Sequence, residues 1–161
     1  MSDLTITAEP GLPFLDLERS FDAPKELLYQ AHTDPDLLVQ WLGPRRLSTT
    51  VEAFEVRDGG RWRYVQHEAD GRTYGFHGVF HGTPSIDDGI VQTFEFEGYP
   101  GHVSLEHLVF EERDGRTTVR IHSVYQALED RDGMVASGME SGVAEGYARL
   151  DELIARRRAQ G

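Results

Sequence analysis

From Leu47 to Gln126 the chain keeps the two-residue alternation of strands, punctuated by glycine-rich turns. From about Asp130 to Arg158 it keeps the three-and-four spacing of a helix. A long block of the first pattern closed by one long element of the second predicts an α+β fold, a curved antiparallel sheet gripping a C-terminal helix. Ahead of that block, Leu4 to Phe21 reads as a first strand interrupted by Pro10-Gly11 and Pro13. Asp22 is then placed to cap a short helix with Pro24 in its first turn. Asp34-Pro35 starts a second helix that carries Leu37, Leu38 and Trp41 and ends at Gly43-Pro44.

Two hairpins can be registered by counting. Asp114-Gly115 is a favoured two-residue turn, and closing it between Arg113 and Arg116 sets Phe110 against Val119, Leu108 against Ile121, Glu106 against Ser123 and Ser104 against Tyr125. That face is apolar beside the turn and polar away from it, while His107 meets His122 on the other face. Asp58-Gly59-Gly60 reads as a three-residue loop between Arg57 and Arg61. It predicts Val56 opposite Trp62, Phe54 opposite Tyr64 and an exposed Glu55–Arg63 pair. Two further strands, about Thr73 to His81 and Ile90 to Glu97, turn Tyr74, Phe76, Gly78 and Phe80, and Gln92, Phe94 and Phe96, inward.

The last element puts Val135, Met139, Val143, Tyr147, Leu150 and Ile154 on one stripe. Beside it runs a row of glycines four apart: Gly138, Gly142 and Gly146. Within a helix each costs roughly 1 kcal/mol relative to alanine. Such a row needs a compensation, either another backbone packed close against it or space left beside it for a ligand.

Composition narrows the function. With 28 acidic and 16 basic residues the formal net charge is −12, which disfavours nucleic acid and anionic membranes. The Arg156, Arg157 and Arg158 run suits a helix C-terminus. The chain contains no cysteine, so disulfides, zinc ribbons and thiol nucleophiles drop out. With 161 residues, no long apolar run and charged residues near its start, it reads as one cytoplasmic domain over 1–161.

Specific segments carry a resemblance. Phe21-Asp-Ala-Pro24, Trp41-Leu-Gly-Pro44, Gly59-Gly-Arg-Trp-Arg-Tyr64, Gln92-Thr-Phe-Glu-Phe96 and Ser137-Gly-Met-Glu-Ser-Gly142 look like the Hsp90 ATPase activator homologue family. That family lies within the START-like (SRPBCC) superfamily of helix-grip, ligand-cavity proteins. The resemblance implies a cavity between sheet and C-terminal helix. It leaves room for a homodimer and for a chaperone partner, although the eukaryotic activator also works through a separate N-terminal domain that this chain has no length for.

The residues then define a candidate binding set. Trp62, Tyr64, Phe94, Phe96, Leu108, Phe110, Val119 and Ile121 face Met139, Val143 and Tyr147, and the alternative to a cavity is a filled core. Contact area for a small apolar or aromatic molecule is expected from Trp41, Trp62, Tyr64, Phe94, Phe96, Leu108, Met139 and Tyr147. Glu106, Ser123 and Tyr125 are expected to orient a polar group. In an apolar setting the carboxyl of Glu106 would rise in pKa, which also admits a cyclase or hydratase role. Binding is favoured over catalysis, and no cofactor is implied. His77 and His81 lie about 13 Å apart on a strand, too far for one metal ion, and the His107–His122 pair lacks a third ligand. Ser123 has no neighbouring histidine on its face, and Asp58-Gly59-Gly60 has no Lys-Ser/Thr after it, so neither a hydrolase triad nor a phosphate loop is indicated.

Overall fold

The structure, a computed structural model, describes residues 4–160. Its strands are β1 (Thr5–Thr7), β2 (Phe14–Phe21), β3 (Ser48–Phe54), β4 (Arg61–His67), β5 (Thr73–Val79), β6 (Ile90–Phe96), β7 (Val103–Arg113) and β8 (Arg116–Tyr125). They form one curved antiparallel sheet in the order β1-β2-β8-β7-β6-β5-β4-β3. Helices α1 (Lys25–Thr33) and α2 (Pro35–Leu38) follow β2, and α3 (Leu128–Ala136) and α4 (Met139–Gln160) follow β8. Tyr147, Leu150, Leu153 and Ile154 of α4 share one buried cluster with Phe21, Trp62, Phe80, Ile90, Leu108, Phe110 and Val119 from the sheet. This is the expected helix-grip arrangement. It arises because strand side chains of one parity all meet the apolar stripe of a single helix.

The β7–β8 hairpin has the register counted from the sequence, from Arg113↔Arg116 through Glu106↔Ser123 to Ser104↔Tyr125. Its two turn residues both take positive φ, 54° at Asp114 and 78° at Gly115, as a type I′ turn requires. The β3–β4 hairpin differs. Phe54 lies opposite Trp62, Ala53 opposite Arg63 and Val51 opposite Tyr64, with a register shift between Val51 and Ala53. The strand stops at Phe54 because the loop is braced by a neighbouring strand: Gly59 donates to the carbonyl of Phe80, and Phe80 donates back to Gly60, each at 2.9 Å. A longer loop absorbs Val56, so the expected Val56–Trp62, Phe54–Tyr64 and Glu55–Arg63 pairings do not form. Glu55 instead accepts from the backbone N–H of Arg61 at 3.0 Å.

The helices also correct the sequence reading in places. Asp34 caps α2 as expected, accepting from the Asp36 N–H at 2.9 Å. Pro24, rather than Asp22, is the N-cap of α1, and Asp22 accepts from Arg158 at 2.8 Å. Helix α2 closes at Leu38, so Trp41 sits in the turn after it.

The continuous helix expected from Asp130 is two, broken at Ser137-Gly138, where Gly138 takes φ +85°. The break carries Val135 off the stripe, and it is 43% exposed. The three glycines therefore do different things. Gly138 supplies a left-handed backbone. Gly142 has only Pro44 within ordinary contact, at 3.7 Å from a would-be Cβ. Gly146 brings α4 onto the Trp41–Gly43 backbone, with the Trp41 carbonyl 3.1 Å from such a Cβ. Close backbone packing is thus the compensation at Gly146 alone. Gly138→Ala is expected to cost about 1–2 kcal/mol, measurable as a lower urea midpoint.

Candidate functional site

The polar end of the β7–β8 face supplies the chemistry. Register places Glu106 between Gln92 on β6 and Ser123 on β8. The Gln92 side-chain amide donates to a Glu106 carboxylate oxygen at 2.9 Å, and Ser123 gives a second hydrogen bond. Protein atoms surround Glu106, yet part of its surface stays accessible. Burial pushes its carboxyl above the usual range, and the bonds from Gln92 and Ser123 only partly oppose that.

Three tyrosines gather around this carboxyl. Tyr64 comes from β4, Tyr125 from the end of β8 and Tyr147 from α4. Each hydroxyl is pushed well above its ordinary value, first by burial and then by the charge of Glu106. Among the described residues none of the three hydroxyls has a hydrogen-bond partner in the protein. Buried polar groups are almost always paired, with protein or with water. The only side-chain polar atom among the described residues that is both walled off and unpartnered is the indole nitrogen of Trp62. The three phenol oxygens therefore border accessible space.

The apolar end is an aromatic row across β4, β5 and β6. Trp62 stacks on Tyr64 with ring centroids 5.4 Å apart, Tyr64 on Phe76 at 5.2 Å, and Phe76 meets Phe94 at 5.5 Å and Phe96 at 5.2 Å. Tyr64, Phe76 and Phe94 are half-buried at the margin of the core, as is Val143 of α4, which packs against the same core.

The structure distributes the predicted residues between this site and the core. Tyr64, Phe94, Glu106, Ser123, Tyr125 and Tyr147 come together around the carboxyl and the row. Leu108 and Trp62 form its buried floor. Met139 packs at the other side with Leu15, Leu17 and Tyr125. Phe96 closes the end of the row, its ring against Gly98, where a Cβ would come within 2.4 Å. Trp41 is 4% exposed, donates its indole N–H to the Ala31 carbonyl at 3.1 Å and stacks on Tyr147 at 6.0 Å, so it anchors α1 and α2 beneath α4.

Several residues had not been assigned to the site from sequence. The alternation of β6 turns Gln92 inward, but its pairing with Glu106 depends on the β6–β7 register, which no two-residue turn fixes in the sequence. Phe76, inward by the alternation of β5, completes the aromatic row. Arg19 faces inward on β2, where the alternation Leu15, Leu17, Arg19, Phe21 gives the signal. Its guanidinium is held by Asp151 at 2.9 and 2.6 Å and lies 4.6 Å over the Phe21 ring. His32 is buried against Trp41 and Phe110.

The outer face of the sheet carries ionic clusters. Glu97 accepts from Arg63 at 2.7 and 2.8 Å and from His77 Nδ1 at 2.8 Å, and the Arg63 guanidinium takes the largest part in holding its carboxyl down at about 2. Arg63 also pairs with Glu52. His107 and His122 face each other there as expected, but His107 lies 3.1 Å from the Asp88 carbonyl and His122 2.6 Å from Asp16. A shallow groove of about 500 Å³ runs between α2 and edge strand β3, lined by Pro35, Asp36, Val39 and residues 49–54, and does not include Glu106. No helix among the described residues is long and apolar enough to cross a membrane.

Comparison with known proteins bears on the same architecture. Among curated proteins no sequence match is found. A crystal structure of a protein from Rhodobacter sphaeroides is 28% identical, with a TM-score of 0.87, covering 96% of this chain and 99% of that one. Protein Ms6760 from Mycobacterium smegmatis is 23% identical with a TM-score of 0.82, covering 94% of this chain and 96% of that one. The AHSA1 protein from Silicibacter pomeroyi is 21% identical with a TM-score of 0.70, covering 89% of this chain and 99% of that one. At their lower identities the last two speak to the fold alone. Residues 22–155, from the approach to α1 through most of α4, match the model of one family. The chain therefore belongs to the family described as Activator of Hsp90 ATPase homolog 1-like protein.

Proposed function

We propose that this protein binds a small, largely apolar molecule between the inner face of the sheet and α4, with the polar end of that molecule at Glu106. The observation that carries the reading is the set of unpartnered tyrosyl hydroxyls at positions 64, 125 and 147 around an enclosed carboxyl. A finished hydrophobic core leaves few such groups, because each unpaired buried polar group costs about 1–3 kcal/mol. A ligand site has this composition: mostly apolar walls and a few converging polar groups. The aromatic row from Trp62 to Phe96 supplies the walls.

Native mass spectrometry of gently purified protein is expected to show an adduct that denaturation releases. A hydrophobic fluorescent dye is expected to bind the stripped protein at one site. Val143→Phe places a ring in the proposed space at a half-buried position of α4, so it should weaken dye binding by about tenfold or more while leaving the fold intact. Absence of both an adduct and a dye site would remove the reading.

The raised carboxyl of Glu106 supports a second reading, a cyclase or hydratase in which it moves a proton. In that case Glu106→Gln abolishes turnover and leaves affinity unchanged.

A further inference from the structure

We propose that the molecule this site takes carries a protonated amine on its apolar body, and that Glu106 receives the ammonium group. The inference rests on the binding reading above and names the chemistry that reading leaves open.

Among the described residues the buried cations Arg131 and Arg19 lie near Tyr125 and Tyr147, and both are already held. Arg19 is held by both oxygens of Asp151. Arg131, 4% exposed, donates to the carbonyls of Glu9 and Phe14 at 3.0 Å each and to Asp132 at 2.9 Å. Glu106 has no cationic partner among the described residues, only the neutral donors Gln92 and Ser123. An ionised carboxylate offers about four acceptor positions, so two donors leave it capacity for a ligand N–H. An anionic ligand would meet Glu106 with no uncommitted cation beside it among the described residues, and a neutral one would leave the charge buried and unpaired.

The remaining walls suit the same molecule. Tyr64 stacks on Phe76 and Phe94 lies tilted against Phe76, an aromatic row that walls the apolar body of the ligand beside the carboxyl. The hydroxyls of Tyr64, Tyr125 and Tyr147 add oxygen acceptors without adding charge. The net charge of −12 raises the local concentration of cationic solutes and repels anionic ones.

The test compares matched compounds, an amine, an alcohol and a carboxylate on each of a phenyl, a naphthyl and a decyl body. Binding is measured by calorimetry on the stripped wild-type protein and on Glu106→Gln. On whichever body binds best, the amine should bind about tenfold or more tighter than the alcohol, and the carboxylate should bind weakest. Glu106→Gln should erase the preference for amine over alcohol, the amine losing at least about tenfold more affinity than the alcohol. Wild-type protein gives an independent readout, since lowering the pH protonates Glu106 and should shrink the amine preference without any substitution. An amine that binds no tighter than the alcohol, or a preference that survives in Glu106→Gln, overturns this inference while the alcohol's binding upholds the site. If none of the compounds binds on any body, both the site and its ligand chemistry are overturned.

Discussion

Acidification from neutral pH to about pH 4 is expected to remove about 3 kcal/mol of folding stability through His32 alone. The ring is 8% exposed, packed against Trp41 at 4.8 Å and Phe110 at 5.2 Å. Its Nδ1 lies 2.7 Å from the Leu28 carbonyl, which selects the neutral tautomer with a proton on that nitrogen. Burial, only partly opposed by that bond, lowers its pKa from 6.5 to about 4. Between those two values the unfolded chain binds a proton that the folded chain refuses, so stability is complete above about 6.5 and is lost as the pH falls toward 4. Glu106 acts with the opposite sign. Its carboxyl is raised in the folded state, so its burial becomes less costly as the pH falls. The His32 contribution is isolated by comparison with His32→Gln. Urea unfolding at about pH 7.5 and pH 4 should show the wild type losing about 3 kcal/mol more than the variant. Parallel losses would show that the ring is charged or hydrated in the folded protein.

Gly78→Ala is expected to cost about 3 kcal/mol or more, although it adds a single methyl group. Gly78 is buried in β5 opposite Trp62 of β4, where an added Cβ would stand 1.9 Å from the Thr93 carbonyl oxygen and 2.7 Å from the Trp62 indole nitrogen. The first of these is backbone of the neighbouring strand and cannot swing aside. The β5–β6 ladder is irregular at this point: after His77↔Glu95, Val79 donates to the Thr93 hydroxyl at 2.9 Å, and pairing returns only at Phe80↔Gln92. The methyl would therefore push β6 away and shift Trp62 at the floor of the proposed site, changing its fluorescence as well as the urea midpoint. Gly133 is the control. It lies within α3 with nothing within 4 Å of a would-be Cβ, so Gly133→Ala should stabilise by about 0.5–1 kcal/mol. Equal, small effects at both positions would contradict the packing described.

What could be read from sequence follows the range of the interactions involved. The β7–β8 register was legible because a two-residue turn at Asp114-Gly115 fixes every pair above it by local geometry. From that register came the polar end at Glu106, Ser123 and Tyr125. The β3–β4 register was not legible, since its loop is shaped by Phe80, a residue of another hairpin. The glycine row looked like one feature because spacing cannot distinguish a helix break from a close approach. Only coordinates separate Gly138, with its positive φ, from Gly146, pressed on the Trp41–Gly43 backbone. Arg19 was hidden by its type: a charged residue at an inward position pairs with Asp151, 132 residues away along the chain.

Space reachable by a ligand is expected between the aromatic row, Glu106 and α4. A high-resolution crystal structure of the protein purified without solvent extraction examines it directly. A bound molecule or ordered waters are expected within hydrogen-bonding distance of Glu106 and of the hydroxyls of Tyr64, Tyr125 and Tyr147. Those hydroxyls bonded to one another and to Glu106, with Val143 closed onto Tyr64 and Phe94 and no density between them, would contradict it.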